Sequence, residues 1–371
     1  MTNSTHELDL LYTDVEDDLR GSLRELLAAR CHPEAVIALG DGDRSLVEPL
    51  WRSVAVDLGL AGLLVAEERG GAGASAREAA VVLEELGRAV APVPFLTSAV
   101  VATTVLAGSD DELVSALAAG ERTAALAVPF STSAAGFAPA VTARDGALVG
   151  SVTSVAGVFG SDVLLVPVRT EAGVEVHAVT DAPVTPVSSL DMTRQLADVT
   201  LDGVTSRVVV PASEGDAAVR AALQLGAAML ASEQLGLAQW CLDTTVAYLK
   251  ERRQFGRQVG GFQALKHRLA DLYVLVESAR AAARYAAATA AADDPDAGLA
   301  ASVAQSYCAD VAVRAAEECV QLHGGIGMTW EHPAHLYLKR AKADQVGFGA
   351  PHEHLAAIAD LVDLPAAGSP A

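Results

Sequence analysis

Hydrophobic residues recur at three- to four-residue spacing near both ends of the chain and at every second position between them. The first spacing predicts amphipathic α-helices, and the second predicts half-buried β-strands. Helices are predicted for residues 15–30, 46–58 and 76–90, and then for 217–248, 263–292, 299–323 and 334–343. Strands are predicted for residues 141–144, 147–153, 163–168, 174–179, 199–201 and 208–210.

This order predicts an α+β protein with three segregated regions. They are an all-helical N-terminal domain (1–120), a middle β-domain (121–213) and a C-terminal helical bundle (214–371). Short strands with turns such as Asp145-Gly146 favour a small barrel or sandwich, and three long helices with a shorter one favour a four-helix bundle. The sequence contains neither a G-x-G-x-x-G motif after a strand nor a P-loop, the two common nucleotide-binding motifs.

The charge of the chain is strongly acidic but unevenly distributed. Its 371 residues include 47 acidic and 26 basic ones, for a formal net charge of -21. That balance argues against nucleic acid or an anionic membrane as the main partner. All four lysines nevertheless lie in two short stretches of the C-terminal third, beside arginines, which indicates a local anion site. The lysines are Lys250, Lys266, Lys339 and Lys342.

The apolar runs and the cysteines indicate the compartment. Residues 1–10 have neither the basic region nor the apolar run of a signal peptide, and no other apolar run is long enough to span a membrane. The cysteines lack disulfide-framework and metal-site spacing, so buried thiols are expected. They are Cys31, Cys241, Cys308 and Cys319. A cytoplasmic protein is therefore predicted.

Residues 248–271 combine a helix end, a turn and a new helix start with six basic residues against two acids. Arg252 and the free N–H groups of the new helix could converge on a phosphate, and Phe255 could form an apolar wall for a purine. A solvated interhelical turn with its charges outward explains the same pattern. The residues alone leave both interpretations open.

Residues 321–342 contain a glycine-rich turn that opens onto a helix. Gly324, Gly325 and Gly327 have no Cβ, so a ligand or another backbone segment can approach closely. A zinc site built on His332 and His335 is disfavoured, because no third ligand has diagnostic spacing.

Taken in order, these motifs resemble the acyl-CoA dehydrogenase family. The matching motifs are Arg252-x-x-Phe255-Gly256, Phe262-Gln263, Gln321-x-x-Gly324-Gly325-x-Gly327, Glu331-x-Pro333 and Arg340-x-Lys342. Upstream, residues 59–73 resemble the family's glycine-rich loop, and residues 201–211 resemble the strand that enters its C-terminal bundle. The resemblance covers nearly the whole chain, and the family has the same helix, β, helix architecture.

The resemblance implies an FAD-dependent enzyme that oxidises acyl-CoA thioesters to 2-enoyl-CoA. In the family a glutamate removes the α-proton, and the β-hydrogen leaves as hydride to the flavin. By matching position, six residues would bind the adenine and pyrophosphate end of an FAD that sits mainly in a neighbouring subunit. They are Arg252, Phe255, Gln263, Gln321, Gly324 and Gly325.

The chain departs from the family at the catalytic base and beside the flavin ring. Phe348 and Gly226 occupy the two positions where family members carry the glutamate. Residues 150–156 lack the lysine, tryptophan and threonine of the family's segment against the flavin ring, and residues 129–136 replace its preceding acidic loop. In place of a side chain, Gly226 could enlarge an acyl pocket for a bulky group.

These departures favour a non-catalytic subunit of a heteromeric acyl-CoA dehydrogenase, assembled as α2β2 with a homologous catalytic subunit. The chain is similar to the shorter members of such pairs in actinobacterial enzymes that degrade steroid side chains. One alternative is a homo-oligomeric dehydrogenase with a relocated base, for which Glu233, Asp344 and Glu353 are the nearby acids, each more typical of a solvated or paired surface position. Another is a flavin-free scaffold subunit.

Overall fold

The computed structural model describes residues 8–364. Residues 1–7, on which most of the signal-peptide argument rests, and the end of the C-terminal region, residues 365–371, lie outside the described residues. The N-terminal region is helical, with a π-helical segment at Phe95–Ala102. Its α-helices are α1 (Asp14–Arg30), α2 (Pro33–Ala38), α3 (Val47–Arg52), α4 (Ala76–Arg88), α5 (Thr103–Val105) and α6 (Leu113–Ala118).

The start of α4 shows how local sequence sets a helix boundary. Ser75 precedes the helix, its hydroxyl accepts from the Arg77 N–H, and Glu78 accepts from the Ser75 N–H at 2.9 Å, which is a capping box. The segment Phe95–Ala102 was not predicted, because all its residues are buried and it therefore shows no amphipathic period.

The middle region is one eight-stranded mixed sheet. Its strands are β1 (Ala124–Leu126), β2 (Val141–Arg144), β3 (Ala147–Ala156), β4 (Val163–Thr170), β5 (Gly173–Val179), β6 (Val184–Pro186), β7 (Leu196–Val204) and β8 (Arg207–Val210). The strand order is β6-β7-β3-β2-β4-β5-β8, and β1 pairs in parallel with β4. β4 is buried on both faces: Leu164 and Val166 pack into a core within the sheet domain, while Val163 and Leu165 join the main core.

The C-terminal region is a bundle of long helices. They are α7 (Gly215–Glu251), α8 (Gln263–Ala291), α9 (Ala297–His323), α10 (Ala334–Asp344) and α11 (Pro351–Leu361). A two-stranded hairpin, β9 (Arg253–Gln254) and β10 (Arg257–Gln258), separates α7 from α8. α11 was not predicted. No helix among residues 8–364 combines the length and the apolar character needed to cross a membrane.

Small residues allow the N-terminal region to pack directly on the bundle. A Cβ built at Gly236 of α7 would lie 1.9 Å from the backbone oxygen of Glu84, and one built at Gly87 of α4 would lie 2.2 Å from that of Glu233. The backbones of α4 and α7 are therefore in contact. This contact fixes α7 in a core that includes residues from all three regions.

Candidate functional site

One candidate surface lies where three helices of the bundle begin or end. The Tyr248 ring, near the end of α7, stacks on His323, the last residue of α9, with centroids 4.5 Å apart. Near the start of α8, Arg268 pairs with Glu318 of α9 at 2.7 Å. These contacts bring the six predicted cofactor residues to one end of the bundle. We call this the bundle-end surface: Arg252, Phe255, Gln263, Gln321, Gly324 and Gly325.

Local backbone geometry gives the bundle-end surface its shape. Phe255 (φ 51°) and Gly256 (φ 76°) form the left-handed turn of the β9–β10 hairpin, which leaves the Phe255 side chain 89% exposed. No side chain caps the start of α8 at Phe262, so the first N–H groups of α8 remain available to an anion. Arg252 is exposed and has no carboxylate at ion-pair distance within residues 8–364.

The three glycines of the following turn differ in what requires them. Gly324 has a φ of +64°, which favours glycine. A Cβ at Gly327 would lie 2.4 Å from the Val320 backbone oxygen, so packing requires glycine there. Gly325 has an ordinary φ and open space around it. Nothing in the described chain requires glycine at position 325, whereas close approach of another molecule would.

A second candidate region unites four residues from the segments that are predicted to depart from the family. The Phe348 N–H donates to the Phe130 backbone oxygen at 2.8 Å, and the Phe130 N–H donates to the Ser154 backbone oxygen at 2.9 Å. The two phenylalanine rings meet edge to face with centroids 5.4 Å apart. A Cβ at Gly226 would lie 2.9 Å from Phe348 Cζ. We call these four residues, Ser154, Phe130, Phe348 and Gly226, the aromatic plug.

The aromatic plug is densely packed and held from several sides. Phe348 is buried, and its backbone oxygen contacts Nε2 of the buried His354 at 3.1 Å. A Cβ at Gly347 would lie 2.6 Å from Phe130 Cζ, so the neighbouring backbone also touches the ring. The expectation that Gly226 enlarges an acyl pocket is therefore wrong, because the Phe348 ring fills the space that the missing side chain leaves.

Sequence reasoning placed Phe348 and Gly226 at two separate base positions and missed that they touch each other. It also gave no role to Phe130, which links them to the sheet. The available signal was that phenylalanine is scarce in this chain, with seven residues, and that Phe130 and Phe348 both fall within segments that depart from the family pattern.

Two of the acids considered as a relocated base are buried in an ionic cluster. Arg194 binds Glu233 at 2.6 Å and Asp344 at 2.5 Å, while Arg340 binds Glu233 at 2.6 Å and Asp191 at 3.2 Å. All five side chains are at most 8% exposed. The interpretation of Glu233 and Asp344 as surface acids was therefore wrong, although both are paired. The cluster joins the loop before β7 to α7 and α10.

The charges in this cluster set opposite pKa shifts on its two bundle acids. Burial alone would raise the pKa of Glu233, but the guanidinium groups of Arg194 and Arg340 outweigh it and hold that pKa at about 2. Burial, with repulsion from Glu233, raises the pKa of Asp344 well above its usual range despite Arg194. A carboxylate held by two guanidiniums is a poor base, so Glu233 is unsuited to proton abstraction. The third acid, Glu353, accepts from the Ala350 N–H at 2.7 Å and caps α11.

The second lysine stretch does not form the open anion site that its composition suggested. Arg340 is buried in the ionic cluster, and Lys342 pairs with Glu317 at 2.9 Å. The Lys339 ammonium lies 4.3 Å from the centroid of the Trp330 ring. Each of these cations already has a partner within the chain, in contrast to Arg252.

The four cysteines are free thiols, and all are buried. Burial raises the pKa of Cys31 and of Cys308 to about 12. Hydrogen bonding with Cys241 and with His323 lowers the pKa of Cys319 to about 5, although burial opposes it. Within residues 8–364, no three His, Cys, Asp or Glu side chains lie close enough together to hold a metal ion.

Comparisons with known proteins match this architecture. Residues 13–120 match the N-terminal domain model of acyl-CoA dehydrogenases, and residues 213–362 match the C-terminal domain model. Acyl-CoA dehydrogenase IpdE2 of Mycolicibacterium smegmatis is 35% identical over 338 residues, which cover 91% of this chain and 95% of that protein.

Two solved structures of paired proteins have the same fold. The Tcur3481–Tcur3483 steroid acyl-CoA dehydrogenase, solved as a variant, superposes with a TM-score of 0.83 at 30% identity and covers 94% of this chain and 98% of its own. The ChsE4–ChsE5 complex of Mycobacterium tuberculosis superposes with a TM-score of 0.85 at 28% identity. The superposition covers 97% of this chain and 100% of the matched chain of that complex. The predicted helix, β, helix fold is confirmed.

Proposed function

Because the chain belongs to the acyl-CoA dehydrogenase family of oxidoreductases, we propose that it is a non-catalytic subunit of a heteromeric, FAD-dependent acyl-CoA dehydrogenase. In this proposal the bundle-end surface completes the FAD site of a homologous catalytic subunit in an α2β2 assembly. When bound, FAD supplies the hydride acceptor for α,β-desaturation of an acyl-CoA. The partner supplies the glutamate that removes the α-proton.

The aromatic plug is the observation that carries the proposal. Catalysis in this family needs a carboxylate at the position of Phe348 or Gly226 and space beside it for the acyl chain. Here a buried ring takes both the position and the space. Protein interiors are packed too tightly for a ligand to enter without moving such a ring. The ring contact therefore leaves no space for an acyl chain between Phe348 and Gly226.

The bundle-end surface, in contrast, fits the anionic end of a dinucleotide. Arg252 is an exposed guanidinium without an acidic partner within the described residues, and α8 presents uncapped N–H groups. The chain itself has room for a Cβ at position 325, so the glycine there is not required by packing within the chain. These features support contact with FAD adenine and pyrophosphate by Arg252, Phe255, Gln263, Gln321, Gly324 and Gly325.

Exposure of this surface also supports a partner. All six of its residues are exposed on the isolated chain, so it covers a cofactor from one side and needs another surface to enclose it. Two of the similar solved structures are described as pairs of proteins, Tcur3481–Tcur3483 and ChsE4–ChsE5. The first is described as a steroid enzyme, which supports a steroid-derived acyl-CoA as the substrate class of the complex.

The test is flavin content and dehydrogenation with and without a partner. We expect the purified chain to be colourless and inactive, and its co-purified complex with a homologous subunit encoded nearby to carry two FAD per α2β2 tetramer and to oxidise acyl-CoA. Flavin bound by the chain alone and reduced by acyl-CoA would overturn the proposal in favour of a homo-oligomeric enzyme.

A pair of variants tests whether this chain contacts the cofactor. Arg252→Gln should release FAD from the complex while leaving assembly intact. Arg144→Gln is the matched control, because Arg144 is also exposed but lies on β2 in the sheet domain. FAD content unchanged by Arg252→Gln would contradict the cofactor role and favour a scaffold subunit.

A further inference from the structure

A cavity of about 820 Å³ lies between the N-terminal helices and the sheet domain. We call it the interdomain cavity. Its walls include α3 with Trp51, the loop before the π-helical segment, the β3–β4 loop with Phe159, and Arg194 before β7. None of its lining residues belongs to the bundle-end surface. Its volume lies in the range of about 300–1,000 Å³ that is typical of small-molecule sites.

The wall of the interdomain cavity combines apolar side chains with polar and charged ones. Its apolar side chains come from both domains, and two of them are unusually open to solvent: Val56 is 50% exposed and Phe159 is 38% exposed. Val47, Trp51 and Leu96 extend the apolar lining inward. An apolar ring system or chain would remove this surface from water.

Arg44 is a half-buried charged group of this lining, whereas Arg52 and Arg122, which also line the cavity, are exposed to solvent. The Arg44 guanidinium lies 5.3 Å from the centroid of the Phe159 ring, and Nη1 donates to Gln195 Oε1 at 3.1 Å. Burial lowers the pKa of Arg44. Within residues 8–364 it has no carboxylate at ion-pair distance, in contrast to Arg194, which binds Glu233 and Asp344.

Two donors at the cavity, the Arg44 guanidinium and Trp51 Nε1, have no carboxylate partner among the described residues. The acids of the lining, Glu48, Glu121 and Asp162, are exposed to solvent, which weakens their field. Asp162 already accepts from the Thr123 N–H at 2.7 Å. Trp51 Nε1 is a buried donor without an acceptor among the described residues. A partly desolvated guanidinium and an unpaired indole N–H both favour an anionic oxygen.

We propose that the interdomain cavity binds a small amphipathic anion, an apolar ring system or chain that carries a carboxylate or sulfonate, with Arg44 as its anion-binding residue. The apolar body lies against Trp51, Val56 and Phe159. The anionic group accepts from the guanidinium donors that Gln195 leaves free. This site is separate from the FAD proposal, since it shares no residue with the bundle-end surface.

The test uses the fluorescent anion 8-anilinonaphthalene-1-sulfonate and its uncharged analogue N-phenyl-1-naphthylamine, with the full chain alone and in its co-purified complex. We expect one saturable site for the anion and at least tenfold weaker binding of the uncharged analogue. Equal affinity for the two probes would overturn the proposal. So would binding to the chain alone that disappears in the complex, because a partner surface would then fill the cavity.

Variants locate the site. Arg44→Gln should weaken anion binding about tenfold, whereas Arg144→Gln, on the exposed part of β2, should not change it. Val56→Glu adds a carboxylate to the wall without touching Arg44 and should weaken binding similarly, with Val208→Glu on β8 as its control. Unchanged affinity in both Arg44→Gln and Val56→Glu would refute the assignment.

Energy transfer from tryptophan to the bound anion gives an independent readout. Trp51→Phe should reduce the transfer, while Trp330→Phe should not, because Trp330 is 68% exposed in the turn between α9 and α10. Transfer that depends on Trp330 and not on Trp51 would place the probe elsewhere and refute the proposal.

Discussion

The Phe348 ring lies directly against Gly226, so that a Cβ at position 226 would be 2.9 Å from Phe348 Cζ. The family resemblance predicts that both residues occupy positions where acyl-CoA dehydrogenases carry the catalytic glutamate. Their contact explains why the two departures occur together: a ring at position 348 needs a glycine at position 226, and a glycine at 226 leaves space that the ring fills.

We predict that Gly226→Ala destabilises the chain by about 1–3 kcal/mol through overpacking, despite its gain in helix propensity. Urea denaturation measures the change. Gly21→Ala is the matched control, because Gly21 is also in a helix but has nothing within 4 Å of a built Cβ. That substitution should stabilise by about 0.5–1 kcal/mol.

The Phe348→Ala background should reverse the sign of the Gly226→Ala effect. Phe348→Ala alone leaves a cavity and should cost about 3–5 kcal/mol. In that background Gly226→Ala should stabilise, because the ring that it would meet is gone. Additive effects of the two substitutions would contradict direct contact between the residues.

Substitutions at two glycines of the glycine-rich turn should separate an effect on stability from an effect on FAD binding. Gly327→Ala should destabilise the chain by at least ~1 kcal/mol, since its Cβ would lie 2.4 Å from the Val320 oxygen. Gly325→Ala should leave thermal stability unchanged, because its Cβ meets nothing, but should reduce FAD bound by the complex. Full FAD content in the Gly325→Ala complex would indicate that no molecule approaches this residue closely.

The buried ionic cluster predicts opposite effects for its two bundle acids. Glu233→Gln should destabilise by about 3–5 kcal/mol, because it leaves buried guanidiniums without their shared carboxylate. Asp344→Asn should be neutral or stabilising at pH 7, because burial and repulsion from Glu233 disfavour the charged form of Asp344. Chemical denaturation of both variants measures the difference, and equal losses would contradict this assignment of charge.

The same two acids predict the pH dependence of stability. The pKa of Glu233 is lowered on folding, so its contribution is present above its unfolded pKa and is lost as pH falls toward about 2. The pKa of Asp344 is raised on folding, so stability falls as pH rises from its unfolded pKa through its folded pKa. Asp344→Asn should therefore flatten the wild-type decline in stability above pH ~4. A decline of unchanged slope in that variant would assign the pH dependence to other groups.

We predict that burial of the cysteine side chains, and not the pKa of their thiols, limits their reactivity. Cys319 has a pKa of about 5 and would react rapidly if exposed, but its side chain is buried. The native chain should release no thionitrobenzoate from Ellman's reagent within minutes and should titrate four thiols in guanidinium chloride. Rapid labelling of Cys319 in the native state would show that the end of α9 opens readily.

Local sequence predicted most elements because their signals are local. Strand β2 matches its predicted bounds, and α8 begins at Gln263 as predicted. Two of the misses share a physical cause. β1 and the segment Phe95–Ala102 are buried on all sides, so they show neither alternation nor an amphipathic face. Glu233 was taken for a surface acid but lies in the core. Its buried charge is stabilised by Arg194 and Arg340, which are distant in sequence, so spacing along the chain could not reveal the pairing.

The sequence by itself determined the family and the order of helical and β regions, and it predicted the six cofactor residues of the bundle-end surface, because ordered motifs and hydrophobic periods are properties of the linear chain. Tertiary structure alone decided that Phe130, Ser154, Gly226 and Phe348 meet. It also decided which arginines already have acidic partners and which, such as Arg44 and Arg252, have none within the described residues. Those facts depend on contacts between residues far apart in the chain. The fold sets these contacts, and the spacing of residues along the sequence does not reveal them.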